Sequence, residues 1–114
     1  MQLYGIATCD SVKAVRKQLD QNNIPYHFID LKTTPPDAAT IRRWHEALGD
    51  ALINTQSRTW REHRDMLQAA RAAGDTAFYA ALAAQPLVLK RPIIENAHGV
   101  AVGKSAWDTL RQHA

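Results

Sequence analysis

Cysteine is almost missing from this chain: Cys9 is the single one in 114 residues. It cannot close an internal disulfide, and a redox cycle on its sulfur must borrow a second thiol, which fits a reducing compartment and predicts a cytoplasmic protein. Long apolar runs are missing too. Met1-Gln2-Leu3-Tyr4 lacks the basic start and apolar core of a signal peptide, so neither a membrane span nor a secretory leader is expected. No charge sign dominates, with fourteen Lys and Arg against eleven Asp and Glu. The basic residues scatter apart from Arg42-Arg43 and residues 58–64, where Glu62 breaks the run and no recognised motif surrounds it. A nucleic-acid partner is therefore not expected. The five histidines, His27, His45, His63, His98 and His113, have no metal-ligand spacing, and one cysteine cannot complete a zinc site without several of them, so no metal is expected.

The chain is 46% hydrophobic and 22% charged, with no internal repeat or low-complexity tract. Its length supports one core without staples, so residues 1–114 are expected to form a single domain. Gln2-Leu3-Tyr4-Gly5-Ile6 has the residues of a first strand. Over 11–22, Val12, Val15 and Leu19 recur at helical spacing, with Lys13, Arg16, Lys17 and Asp20 on the other faces. Pro25 follows soon after, and helices rarely pass the residue before a proline. Residues 26–31 read as a second strand, which makes a βαβ unit with a parallel pair. A helix is predicted over Ala38–Leu48, with Ile41, Trp44, Ala47 and Leu48 on one stripe and Gly49 closing it.

Residues 50–63 show neither a helical nor a strand period and read as a loop with short helical turns. Helical patterns resume over 64–73, where Met66, Leu67 and Ala70 align, and over 76–84, where Phe78, Ala81 and Leu82 do. Residues 37–85 thus form a mainly helical insertion. Residues 87–95 read as an apolar strand interrupted by Pro92, which cannot donate to a ladder. His98-Gly99 turns the chain into a last strand over 100–103, paired back as a hairpin. Ser105 caps a final helix over 106–113, with Trp107 and Leu110 inward.

Cys9 falls in the loop between the first strand and the first helix, followed by Asp10 and Ser11, both N-cap residue types. The unpaired N–H groups of a first helical turn, and the positive end of its dipole, favour the nucleophilic thiolate. The bland alternative is a small buried hydrophobe. Asp10 brings a negative charge beside the sulfur or caps the helix, and Lys13, one turn along, can offset it. The three tryptophans, Trp44, Trp60 and Trp107, are expected to pack on the core.

The order βαβ, helical insertion, ββα resembles the thioredoxin fold, an α/β architecture with a mixed sheet, in which a cysteine after the first strand faces a proline before the third. Cys9 and Arg91-Pro92 hold those positions. Residues 5–13, 54–61 and 90–94, then Val102-Gly103, resemble the arsenate reductase-like (ArsC-like) family of thioredoxin-fold proteins, which includes the Spx regulators and the YffB group, and they look most like YffB. The resemblance implies Cys9 as nucleophile, Arg58 and Arg91 as two of three cations holding an oxyanion, and Lys104 near the third; Arg61 is the substitute for Arg58. It also implies glutathione as co-substrate, with a small oxyanion or a disulfide as substrate. A thiolate attacking an anion needs such cations in any case. Lys104 replaces a planar fork with a point charge, and Gly5 stands where the arsenate enzymes carry a histidine. Both favour a glutathione-dependent thiol reductase. Val12 stands where a Cys-x-x-Cys motif would place its second thiol, which argues against an Spx-like redox switch. The alternative is a non-catalytic regulator that docks on RNA polymerase.

Overall fold

The structure, a computed structural model, describes residues 1–111. The chain forms two compact units, one made of Met1–Thr34 with the chain from Lys90 onward, the other of Pro35–Leu89. In the first unit, β1 (Gln2–Gly5) leads into α1 (Asp10–Gln21) and β2 (His27–Asp30); β3 (Ile93–Asn96), β4 (Gly99–Val102) and α5 (Ala106–Arg111) follow from the far side of the chain. The strands lie in the order β2-β1-β3-β4, with β1 parallel to β2 and the other pairs antiparallel. This is the expected mixed sheet of a thioredoxin-like α/β fold.

Val12, Val15 and Leu19 of α1 bury against Leu3, Ile94 and Ala101 of the sheet and against Ala106 and Leu110 of α5. Removing one such side chain, as in Leu19→Ala, costs about 2–5 kcal/mol. Gly5 is needed for this packing. A Cβ there would lie 2.6 Å from Cγ2 of the buried Val12, so a larger residue would force Val12 or the helix to shift away from the strand.

The second unit holds α2 (Ala38–Leu48), a 3-10 turn (Gly49–Leu52), α3 (Arg58–Ala73), α4 (Asp75–Ala84) and a second 3-10 turn (Pro86–Val88). Its buried side chains include Ile41, Trp44, Leu52, Leu67, Phe78, Tyr79 and Leu82. Asp37 caps α2 by accepting the Thr40 N–H at 2.8 Å. Gly49, at φ 60°, ends it as expected.

Four expectations are corrected. α3 starts at Arg58, inside the stretch read as a loop, because the Ser57 hydroxyl accepts the Trp60 N–H at 3.1 Å and caps it. Met66 is exposed on that helix, and Leu67 is the residue it buries. The strand predicted over 87–95 begins only at Ile93: Pro86–Val88 form a 3-10 turn, and Pro92 has no N–H to give a ladder. The hairpin turns at Ala97-His98, one residue early, since Asn96 pairs with Gly99. α5 is described to Arg111, and the rest of the helix expected to reach His113 lies outside the described residues.

Candidate active site

The strand pairing fixes which loops share an end of the sheet. Tyr4 pairs with Ile93, Ile93 with Val102, and Gly5 with Asp30. The chain leaving β1, the chain arriving at β3 and the chain leaving β4 therefore emerge at one end, together with the end of β2. That end carries Cys9, Arg91-Pro92 and Gly103-Lys104.

Cys9 is itself the N-cap of α1, one residue earlier than the Asp10 or Ser11 expected there, with φ −78°, ψ 126° and no side-chain cap bond. The Cys9 N–H donates to the Ile6 carbonyl at 3.0 Å, and the Cys9 carbonyl accepts the Lys13 N–H at 2.9 Å. The extended backbone at Cys9, rather than a polar side chain, ends the helix. The side chain packs partly on the core of its unit and stays half-exposed, with no disulfide partner. Asp10 is the exposed first residue of α1, where a carboxylate complements the helix dipole.

Arg91 is half-buried and Pro92 buried, and the peptide bond between them is cis. The Gly103 N–H donates to the Pro92 carbonyl at 2.9 Å, which fastens the turn after β4 to the residue before β3. Gly103 adopts φ 94°, a conformation that glycine reaches without a Cβ clash. Lys104 follows it, exposed, and Lys13 is exposed on α1 one turn beyond Cys9.

Asp30 was missed from the sequence. Its carboxylate accepts the Lys32 N–H at 2.7 Å. That bond, with further ones from the backbone N–H groups of Ala7 and Thr33, holds its carboxyl below the usual value. The contact with Ala7 ties down the loop that carries Cys9. An aspartate ending a strand two residues before a turn signals the Lys32 bond. No local pattern signals the one to Ala7, which is distant in sequence.

Arg58 and Arg61 belong to the second unit. Arg58 is the first residue of α3 and donates through Nε to Glu62 at 2.7 Å. Arg61 donates to the Gln56 carbonyl at 3.0 Å. Trp60 is half-buried, whereas Trp44 is fully buried. Among the described residues no three His, Cys, Asp or Glu side chains group as metal ligands, and no helix is long and apolar enough to cross a membrane.

The model of the ArsC family matches residues 4–111. The chain belongs to the ArsC family. Within reach of this ArsC-family chain by sequence is an uncharacterised protein of Haemophilus influenzae, 33% identical over 93 residues, covering 81% of this chain and 80% of that protein. Among solved structures, a YffB protein superposes with a TM-score of 0.80 at 29% identity, covering 96% of each chain. A "possible arsenate reductase" of Streptococcus mutans superposes with a TM-score of 0.77 at 26% identity, again over 96% of each.

Proposed function

We propose that this ArsC-family chain is a glutathione-dependent thiol reductase with Cys9 as its nucleophile. The observation that carries the reading is the convergence of Cys9, as N-cap of α1, with Arg91-Pro92 and Gly103-Lys104 at one end of the sheet. The first turn of α1 presents its N–H groups and positive dipole end toward the Cys9 side. In the first step the Cys9 thiolate attacks the glutathione sulfur of a mixed disulfide. A Cys9–glutathione disulfide forms and the substrate thiolate leaves. In the second step the thiolate of another glutathione attacks the glutathione sulfur on Cys9, releasing oxidised glutathione and the Cys9 thiolate. Each turnover consumes one free glutathione thiol and releases one substrate thiol, so the proton lost by the incoming glutathione balances the one taken up by the departing thiolate; the free glutathione and the one from the mixed disulfide leave together as oxidised glutathione.

Arg91, Lys104 and Lys13 hold the carboxylates of glutathione in this scheme. The name of the Streptococcus mutans neighbour supports an anionic substrate for the same cations. Lys104 supplies a charge without the bidentate fork that an oxyanion exploits, which favours a disulfide. A reducing compartment such as the cytoplasm would supply the glutathione.

The test is reduction of a small glutathione mixed disulfide, coupled to glutathione reductase and NADPH. Wild type is expected to turn over and to show a glutathione adduct on Cys9 by intact mass, and Cys9→Ser is expected to lose at least about a thousandfold of the rate. Full activity in Cys9→Ser would sink the reading. Absence of turnover with any disulfide or oxyanion, with an RNA polymerase subunit retained equally by wild type and Cys9→Ser, would favour the docking regulator.

A further inference from the structure

The outer face of α1 continues past Lys13 with residues that the reductase cycle does not use. Lys13, Arg16, Lys17, Asp20 and Gln21 line a shallow groove of about 470 Å³. At the helical period, positions 13, 16, 17 and 20 fall on the face that begins at Cys9, beside the buried stripe of Val12, Val15 and Leu19. Lys13 and Lys17 are exposed and form no ion pair among the described residues. Arg16 is held in place: its Nε donates to the Tyr26 hydroxyl at 3.2 Å, and its guanidinium lies 4.2 Å from the centroid of the Phe28 ring. A stacked, hydrogen-bonded guanidinium loses little further freedom when an anion binds.

We infer that this face docks an acidic segment of a protein substrate, aligning that protein's glutathionylated cysteine on Cys9; the inference rests on the reductase reading of Cys9. Three cations on one face, none with a carboxylate partner among the described residues, are complementary to carboxylates brought from outside. From Cys9 to Gln21 the helix runs about 18 Å, the reach of five or six extended residues. A small oxyanion, or glutathione alone, would leave the far half of the groove empty. Asp20 interrupts the positive field there, so a continuous polyanion such as a nucleic-acid backbone would meet repulsion. A peptide can instead set acidic side chains on Lys13, Arg16 and Lys17 and a neutral or basic one on Asp20, with the Gln21 amide free to bond its backbone.

Fluorescence anisotropy of a labelled Glu-rich peptide and its Gln counterpart, read with Cys9→Ser protein, tests the docking without any chemistry. The Glu peptide is expected to bind about tenfold or more tighter than the Gln peptide, and Lys13→Ala/Lys17→Ala is expected to abolish most of that difference. Lys32→Ala/Arg64→Ala, which removes the same net charge elsewhere, should leave the affinity within about twofold. Equal weakening by both double variants, or equal binding of both peptides, would overturn the inference. The two readings then separate with wild type and glutathionylated forms of the peptides. Turnover with no preference for the Glu peptide counts against the docking face alone. Peptide binding without turnover of any disulfide overturns the reductase reading and removes the substrate role inferred for the face.

Discussion

The two units of the chain treat their charges differently. In the unit of Pro35–Leu89, three arginines meet carboxylates within the fold: Arg58 with Glu62 at 2.7 Å, Arg64 with Asp65 at 3.8 Å, and Arg71 with Asp50 at 2.8 Å. Asp50 also meets His45 at 3.0 Å, whose other ring nitrogen lies 2.8 Å from the hydroxyl of the buried Tyr79. That network ties α2 and the turn after it to α3 and α4. Burial pushes the Tyr79 phenol up, with Asp75 adding to it. The unit that carries Cys9 pairs Arg111 with Asp108 at 3.2 Å, but Lys13, Lys17 and Lys104 have no ion-pair partner among the described residues. Charges neutralised at home hold a fold together. Charges left to solvent are available to an anion that arrives from outside.

The sharpest way to break this contrast is to remove cations from each unit. Arg91→Ala is expected to lower kcat/KM for a glutathione mixed disulfide by about 10- to 100-fold, the scale of a charge-assisted hydrogen bond lost at an anion site. Arg58 is exposed, and its ion pair with Glu62 lies along the helix of its own unit. Arg58→Ala and Arg61→Ala are both expected to stay within about threefold. If Arg58→Ala cost as much as Arg91→Ala, pairing within the fold would not mark a cation as structural.

Glycines sharpen the contrast in packing. Gly5→Ala is expected to destabilise by about 1–3 kcal/mol in urea unfolding, because its Cβ meets Val12. In a Val12→Ala background the same change should cost at least about 1 kcal/mol less. Gly49 differs: a Cβ there meets nothing within 4 Å, and its φ of 60° makes the cost one of backbone conformation, which no neighbouring truncation relieves. Equal costs for Gly5→Ala in both backgrounds would show that the approach of α1 to β1 is not what requires glycine.

The smallest expected effect is that of Asp50. Hydrogen bonds from Arg71 first and His45 second hold its carboxyl below the usual 3.8. A carboxylate depressed in the folded state adds stability above its unfolded value and loses it as pH falls through the folded one. Asp50→Asn should therefore be less stable than wild type by about 0.5–1 kcal/mol near neutral pH. Urea unfolding of both proteins should show that difference shrinking as the pH drops below the ordinary carboxylate range. A gap unchanged in acid would mean that the charge on Asp50 contributes nothing.

Much of the fold was legible because its signals are local. The spacing of Val12, Val15 and Leu19, the stop at Gly49 and the breaker at Pro92 each act within a few residues of themselves. The start of α3 was legible too, in Ser57, but the stretch before it has no hydrophobic period and the cap was passed over. The strand expected before Pro92 failed for the opposite reason: Leu87-Val88-Leu89 is apolar enough for a strand, but its strand-type pairing among the described residues is a single isolated bridge from Leu89 to Ile53. At the candidate site, the places of Cys9, Arg91 and Lys104 relative to the strands could be read from the order of elements. Asp30 could not, since its bond to Ala7 joins residues that no sequence period relates.

By itself, the sequence determined most of the helices and strands and that the one cysteine has no second thiol within the chain, because propensity, capping and composition depend on near neighbours or on simple counting. Only the tertiary structure decided that β3 lies antiparallel to β1, which brings Arg91-Pro92 and Gly103-Lys104 to the end of the sheet where Cys9 caps α1. It also decided that Gly5 must lack a side chain and that Arg16 is clamped by Tyr26 and Phe28. Each of these is a contact between distant parts of the chain, set by close packing and by the need of polar groups for partners, and neither is written into any short stretch of residues.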